Sequence, residues 1–90
     1  MPFTLVFLEP FQKALKKLDG SVKSKLPALL EKISENPLVG RPLRHYANYF
    51  RIRFGNYRLI YLVDEERNEV LVSLVGKRDN IYEEFSRRFK

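Results

Sequence analysis

The fold of this chain is decided by a central stretch, YFRIRFGNYRLIY, which occupies residues 49–61. Apolar residues and arginines alternate over 50–54, and a period of two is typical of a half-buried strand. Gly55-Asn56 is a two-residue hairpin signal, and a second run of strand-forming residues follows it. The stretch therefore predicts a β-hairpin with strands over 50–54 and 57–63.

The length of the turn fixes which residues of this hairpin face each other. With a two-residue turn, Phe54 faces Tyr57 and Arg53 faces Arg58. Arg51 lies on the same face of the sheet as Arg53, two residues along the strand. Like charges directly opposite each other cost about 0.2–1 kcal/mol. The arrangement is therefore interpreted as a face that binds a polyanion.

The distribution of charge supports this interpretation. The sequence has 17 Lys and Arg against 11 Asp and Glu, a net charge of +6, yet residues 36–63 contain no carboxylate. Residues 1–35 use only lysine as a cation, whereas this segment uses only arginine, whose planar fork of donors suits phosphate. The alternative is that Glu83 or Glu84 reaches over and neutralises the face. The arginines of the segment are Arg41, Arg44, Arg51, Arg53 and Arg58.

A strand and two amphipathic helices are predicted before the hairpin. Residues 3–8 are apolar and contain Val and Thr, which favours a strand. Glu9-Pro10 suits the start of a helix whose apolar residues recur at helical spacing until Asp19-Gly20. A second helix is predicted from near Ser21, and Pro27 either kinks it or marks its true start.

The elements after these helices complete an α+β domain. Residues 37–48 are predicted to form a loop, and a charged turn at 64–69 follows the hairpin. The continuous apolar run 70–75 is typical of a central strand that is covered on both faces. Apolar residues at helical spacing over 81–89 predict a short terminal helix. The predicted order is β-α-α-β-β-β-α, with helices against a mostly antiparallel sheet in a single domain of residues 1–90.

Composition limits the classes of protein to which the chain can belong. A hydrophobic content of 44%, with seven Phe and five Tyr, excludes a disordered chain. The absence of cysteine excludes disulfides, cysteine-based zinc sites and a thiol nucleophile, and fits a reducing compartment. The opening residues 1–9 show no signal peptide, and no apolar run approaches the length of a membrane span. We expect a soluble, cytoplasmic protein.

The predicted strand over 70–75 ends in residues that are further candidates for the arginine face. In an antiparallel meander, Lys77 and Arg78 lie near the hairpin turn and are expected to approach Arg53 and Arg58. Tyr82 follows Arg78 by four residues, about one helical turn. A phenol held among arginines is a candidate for proton transfer.

Several segments together resemble the RelE/ParE toxin superfamily. Residues 49–61 resemble its central hairpin, and GKRDNIY at 76–82 resembles its closing motif. The strand and helix of residues 5–18 and the Asn-Pro-x-x-Gly segment at 36–40 also fit. The resemblance covers nearly the whole chain and implies a small antiparallel sheet with an N-terminal helical hairpin. In RelE proper it also implies ribosome-dependent cleavage of mRNA in the A site, neutralised by a cognate antitoxin.

The resemblance implies roles for particular residues. Arg51 and Arg53 match basic residues of the first hairpin strand, Arg58 the arginine of the second, Arg78 the arginine after the last strand, and Tyr82 the tyrosine beyond it. Some RelE members have lysines at the paired basic positions and a longer step before the tyrosine. A lysine can act as a general base and an arginine effectively cannot, so the identity of the base stays open.

The resemblance predicts an endoribonuclease that needs neither a metal nor another cofactor. The 2′-hydroxyl of the RNA attacks the adjacent phosphate, arginines stabilise the transition state and Tyr82 transfers a proton. His45, the only histidine, is either a contact to RNA or an alternative base. The predicted catalytic residues are Arg53, Arg58, Arg78 and Tyr82, and the predicted contacts to RNA or ribosome are Arg41, Arg44, His45, Arg51 and Lys77.

Other functions remain possible at this stage. A ParE-like toxin shares the fold but inhibits DNA gyrase. That activity does not require a cluster of arginines that binds phosphate. The same face also suits a non-catalytic RNA-binding module or a toxin that has lost its activity. For any of the toxins, an antitoxin segment is expected to cover the basic face with acidic residues or to displace the terminal helix.

Overall fold

The computed structural model describes residues 2–89, so Met1 and Lys90 of the predicted domain 1–90 lie outside the described residues. The fold is α+β, as predicted, with helices packed on both faces of a five-stranded sheet. No helix within the described residues is long and apolar enough to cross a bilayer. The strands are β1 Thr4–Phe7, β2 Arg41–Pro42, β3 Tyr49–Phe54, β4 Tyr57–Asp64 and β5 Glu69–Lys77, and the helices are α1 Glu9–Leu15, α2 Gly20–Lys23, α3 Leu26–Glu35 and α4 Ile81–Arg88.

The sheet is mostly antiparallel, with the strand order β1-β5-β4-β3-β2. Only β1, at one edge, runs parallel to its neighbour β5. The predicted register of the hairpin is confirmed, because Phe54 pairs with Tyr57 and Arg53 pairs with Arg58. Gly55 has a φ of +60°, whereas Asn56 does not have a positive φ, as in a type II′ turn. A two-residue turn of this kind leaves no freedom in the pairing of β3 with β4.

The prediction of a loop over residues 37–48 is wrong in its first half. Residues Pro37–Val39 form a single 3₁₀ turn, and β2 then pairs with β3 at the edge of the sheet. Two residues are too few for a pattern of alternation, and Pro42 has no N–H to donate to a neighbour. Nothing local in the sequence therefore indicates this strand.

The predicted helical hairpin is present but is divided differently. Helix α1 ends at Leu15 rather than near residue 19, and α2 is a single turn. Helix α3 begins at Leu26, with Pro27 in its first turn. The interpretation in which Pro27 marks the true start of the second helix is confirmed, since the first turn is where proline fits a helix.

Two apolar layers enclose the sheet. Helices α1 and α3 cover one face, where Phe11 and Ile33 are buried against β4 and β5. Helix α4 covers the other face, where Ile81 and Phe85 are buried. The prediction that residues 70–75 form a central strand covered on both faces is confirmed, because Val70, Val72, Ser73, Leu74 and Val75 are all buried.

A β-bulge in β5 allows this strand to serve both layers. Ile60 pairs with Leu74 and Tyr61 with Val72, which leaves Ser73 as an extra residue between the pairs. Because of this insertion, Val72 packs beneath α1 and α3 while Leu74 packs beneath α4. The buried hydroxyl of Ser73 donates a hydrogen bond of 3.0 Å to the carbonyl oxygen of Leu71.

Candidate functional site

An open groove lies on the α4 face of the sheet, over β2, β3 and β4. Its volume is about 480 Å³. The strand register places Arg41 opposite Arg51 and Arg53 opposite Arg58, and Tyr82 completes the wall from the first turn of α4. We call this feature the arginine groove; it is lined by Val39, Gly40, Arg41, Arg51, Ile52, Arg53, Arg58 and Tyr82.

The positive charge of the arginine groove has no counter-charge within residues 2–89. No carboxylate lines the groove, and none of its four arginines takes part in an ion pair of the described part of the chain. The alternative in which Glu84 neutralises the face is wrong, since Glu84 binds Arg88 at 3.2 Å. Glu83 does not line the groove either. The two arginine pairs across the strands therefore each cost the fold about 0.2–1 kcal/mol.

The arginines differ in how firmly they are held. Arg58 is half-buried, and its Nη1 donates a hydrogen bond of 3.1 Å to the carbonyl oxygen of Tyr57. Arg51 is also half-buried, and its Cζ lies 5.9 Å from the ring centroid of Tyr82, within range of a cation–π interaction. Arg53 is exposed. Tyr82 remains 37% exposed, so its side chain is accessible from solvent.

A buried tyrosine holds the segment that precedes Arg41 in place. The Tyr61 hydroxyl donates to the carbonyl oxygen of Pro37 at 2.8 Å and accepts from the N–H of Gly40 at 3.1 Å. A Cβ at Gly40 would lie 2.6 Å from both the Arg51 carbonyl oxygen and the Tyr61 hydroxyl, so only glycine allows this close approach. Burial raises the pKa of Tyr61, which keeps this phenol neutral. We call these contacts of Tyr61 the tyrosine clamp.

Loss of the tyrosine clamp is expected to destabilise the fold. Tyr61→Phe leaves the half-buried N–H of Gly40 and the carbonyl of the buried Pro37 without this partner, which should lower the free energy of unfolding by about 1–3 kcal/mol. Urea denaturation measures this change. Tyr57→Phe is the control, because it removes a half-buried phenol that lies outside both the clamp and the arginine groove. Equal stability of the two variants would show that the clamp contributes nothing.

The residues predicted after β5 lie close to the hairpin turn but outside the arginine groove. The N–H of Arg78 donates to the carbonyl oxygen of Asn56 at 3.1 Å, and its Nε lies 3.8 Å from the carboxylate of Asp79. Lys77 pairs with Tyr57 and lines a separate depression beside α1. The end of β5 therefore reaches the expected place, while the alternation of the strand directs Lys77 to the opposite face.

The loop before the hairpin places the remaining candidates beside the groove. Arg44 and His45 are both exposed, and His45 has a φ of +69°. Neither lines the arginine groove, although Arg44 lines an adjoining depression together with Arg51 and Tyr82. Within residues 2–89, no three His, Asp or Glu side chains are grouped in a way that could hold a metal ion.

Comparison with known proteins finds relatives that align over most of this chain. A family model described as the ParE toxin of the type II toxin–antitoxin system parDE matches residues 5–82. The chain belongs to the RelE/ParE toxin superfamily. It is 38% identical to the toxin RelG of Mycobacterium tuberculosis, over 91% of this chain and 98% of that protein. It is 33% identical to the mRNA interferase toxin RelE of Escherichia coli K12, over 98% of each.

The solved structures of the superfamily share the fold. The crystal structure of the toxin–antitoxin complex RelBE2 of Mycobacterium tuberculosis matches with a TM-score of 0.79 and 33% identity, over 87% of this chain and 100% of the matched chain. The resemblance to RelE-type toxins is thus confirmed.

The tyrosine clamp was not identified from the sequence, although its two partners, Pro37 and Gly40, lie in the Asn-Pro-x-x-Gly segment that fits the family.

Proposed function

We propose that this chain inhibits translation as an endoribonuclease, which cleaves mRNA in the ribosomal A site without a metal. The observation that carries the proposal is the arginine groove, which is lined by four arginines without ion-pair partners in the described chain and by an exposed tyrosine, Tyr82. A relative that aligns over nearly the whole chain is named an mRNA interferase. RNA is an anion of the kind that such a groove would bind, since arginine forks match phosphate oxygens.

The proposed reaction is an internal transesterification. The 2′-oxygen of one nucleotide bonds to the adjacent phosphorus, and the bond from phosphorus to the 5′-oxygen of the next nucleotide breaks. A proton leaves the 2′-hydroxyl and a proton reaches the departing 5′-oxygen, so the products are a 2′,3′-cyclic phosphate and a 5′-hydroxyl. Each arginine that contacts the phosphate in its transition state is worth about 10²–10³ in rate.

The positions of the side chains suggest how the roles are divided. Arg53 and Arg58 lie directly opposite each other in the groove and are assigned to the scissile phosphate. Proton transfer is assigned to Tyr82 rather than to His45, because only the tyrosine lines the groove. Arg78 remains the fourth proposed catalytic residue, reaching the substrate from the hairpin turn. The remaining proposed contacts to RNA or ribosome are Arg41, Arg44, His45 and Arg51, whereas Lys77 lies on the opposite face of the sheet and is not assigned to this site.

A cognate antitoxin is proposed as the protein partner. Structures that resemble this chain include toxin–antitoxin complexes with RelB antitoxins. An acidic antitoxin segment would supply the negative charge that the described chain does not place in the arginine groove. It is expected either to lie on that groove or to displace α4, whose residue Tyr82 forms one wall.

Primer extension on translating ribosomes tests the proposed activity. Wild-type protein is expected to cut mRNA within the A-site codon and to leave 5′-hydroxyl ends that polynucleotide kinase labels without prior phosphatase treatment. An Arg53→Gln, Tyr82→Phe double variant is the inactive control. Absence of cuts with the wild type, while translation of a preformed mRNA continues, would contradict the proposal.

The matching family model is that of ParE toxins. Since resemblance to ParE implies inhibition of DNA gyrase, gyrase inhibition is the second candidate. A gyrase inhibitor would block DNA supercoiling by purified gyrase and leave ribosome-bound mRNA intact. A non-catalytic RNA-binding module would instead bind RNA, with an affinity that falls steeply as salt rises, and would yield no product. The supercoiling assay and the primer extension together distinguish these functions.

A further inference from the structure

One edge of strand β3 lies open at the arginine groove. Strand β2 is only two residues long, and its first residue, Arg41, pairs with Arg51, so β3 continues past its neighbour toward the hairpin turn. The next residue that faces this side is Arg53, and the position opposite it falls on Val39, which belongs to the 3₁₀ turn rather than to a strand. Val39 and Arg53 both line the arginine groove, so the gap between them is part of it.

The register of the hairpin fixes the direction of the main-chain groups of Arg53. The hydrogen-bonding groups of alternate residues on a strand point toward opposite neighbours. The Val63 N–H donates to the Asn48 carbonyl oxygen at 2.9 Å, so the even-numbered residues of β3 face β4. The Leu43 N–H donates to the Tyr49 carbonyl oxygen at 2.8 Å, so the odd-numbered residues face β2. The N–H of Arg53 therefore points away from β4 and into the gap.

This N–H has no hydrogen-bond partner within residues 2–89. Val39 does not approach it as a strand residue would, and its own N–H donates to the Asn36 carbonyl oxygen at 3.0 Å. Gly40, which also lines the groove, has no side chain that could fill the gap. On its other side β3 is paired with β4 along its whole length. The Arg53 N–H is thus a donor that the sheet holds in place and leaves free for a ligand.

The length of the open edge and the charge around it favour an anion over a strand of another protein. The edge is one residue long, because Arg51 is already paired with β2 and the hairpin turn begins after Phe54. A partner strand would find a single pairing position there, whereas a phosphate oxygen needs only one N–H. The groove is lined by four arginines and by no carboxylate. Main-chain N–H groups are common donors to the phosphates of nucleic acids.

We propose that the Arg53 N–H donates a hydrogen bond to a non-bridging oxygen of the scissile phosphate. This proposal rests on the proposed function and adds a main-chain donor to the contact assigned to the Arg53 side chain. Negative charge grows on the non-bridging oxygens as the 2′-oxygen bonds to phosphorus. A donor fixed by the pairing of β3 with β4 stabilises that charge without having to reorganise. The exposed arginine side chain, by contrast, has to be ordered when the substrate binds.

An ester in place of the peptide bond between Ile52 and Arg53 tests this proposal, because it removes the N–H and keeps both side chains. The chain has no cysteine, so it can be synthesised by ligation at Ala47 followed by desulfurisation. Single-turnover cleavage of A-site mRNA is expected to fall about 10²–10³-fold, the usual loss when one oxyanion donor is removed. The control is an ester before Leu5, whose N–H also faces away from its neighbouring strand but lies in β1, at the opposite edge of the sheet. Its rate should equal that of the wild type.

Sulfur in place of one non-bridging oxygen gives a readout that a loss of stability alone would not change. Sulfur accepts hydrogen bonds poorly, so wild-type protein should cleave the two phosphorothioate diastereomers at different rates. The ratio of these rates should fall toward one in the ester variant. It should persist in single glutamine variants of the four groove arginines, including Arg53→Gln, because each of them keeps the Arg53 N–H. These four variants have an ordinary main chain and decide the case if the ester variant does not fold.

The possible failures of this proposal and of the proposed function differ. If wild-type protein cuts mRNA and the folded ester variant cuts at the same rate, the Arg53 N–H does not serve the reaction, and the open edge is available to another ligand, such as an extended antitoxin segment. If the preference for one diastereomer is absent from the wild type, or is lost in a single arginine variant, a side chain rather than the main chain contacts the phosphate oxygen. If wild-type protein does not cut at all, the proposed function fails and this proposal fails with it.

Discussion

Replacement of Tyr82 by phenylalanine is expected to lower the single-turnover rate of mRNA cleavage by about 10²–10⁴, the usual worth of a positioned proton-transfer group. Binding to the programmed ribosome should change little. The phenylalanine ring keeps the shape of the wall and can still accept the guanidinium of Arg51, which lies 5.9 Å from the ring centroid. The variant therefore separates proton transfer from binding, and rapid-quench kinetics with saturating protein measures it.

The control for this variant is Tyr57→Phe. Tyr57 lies in the same hairpin and is half-buried, but it faces the depression beside α1 rather than the arginine groove. Its rate should equal that of the wild type. An unchanged rate in Tyr82→Phe would instead mean that no proton passes through this phenol, and His45→Ala would then become the decisive variant.

The sequence allowed the hairpin and the register of its arginines to be predicted, because both depend on local chemistry. A two-residue turn containing Gly55 fixes the pairing of the strands, and alternation fixes which residues share a face. The pair of Arg53 with Arg58 follows without any long-range information. Helix α4 could also be predicted, since its apolar residues recur with helical spacing.

Contacts between distant segments could not be predicted from the sequence. The parallel pairing of β1 with β5, as between Thr4 and Glu69, carries no local signal. The same holds for Arg41, which joins the groove because the tyrosine clamp and the bare Cα of Gly40 bring β2 against β3. The four arginines of the groove are among the five of the acid-free segment, but their arrangement around one groove depends on these tertiary contacts.

The unexpected position of Lys77 has a related explanation. Lys77 was expected beside the arginines because β5 ends at the hairpin turn, and the strand does end there. Which face its side chain takes depends on the bulge at Ser73, which shifts the alternation of β5 by one residue. Ser73 is the one polar residue of the run 70–75, but a single serine does not indicate an inserted residue, so the side of the sheet reached by Lys77 was not predictable.

Substitution of Arg53 by glutamine is expected to have opposite effects on stability and on activity. The side chain is exposed and stands directly opposite Arg58, so its removal relieves one repulsive pair and should raise the free energy of unfolding by about 0.2–1 kcal/mol. The same substitution removes a donor from the proposed phosphate site and should lower the cleavage rate about 10²–10³-fold. Urea denaturation and single-turnover cleavage of A-site mRNA measure the two effects.

Stability and cleavage rate are expected to change in opposite directions only if Arg53 acts in the proposed function. If Arg53 were an ordinary surface residue, its loss would leave cleavage unchanged, as is expected for the control Arg67→Gln in the distant turn between β4 and β5. If it were structural, stability and activity would fall together. Arg53→Lys adds a further distinction, because an ammonium keeps the repulsion but lacks the planar fork. If the pair binds the phosphate as proposed, the chain keeps two repelling arginines at a cost in stability because its activity needs them, which is the usual form of a trade-off between stability and function.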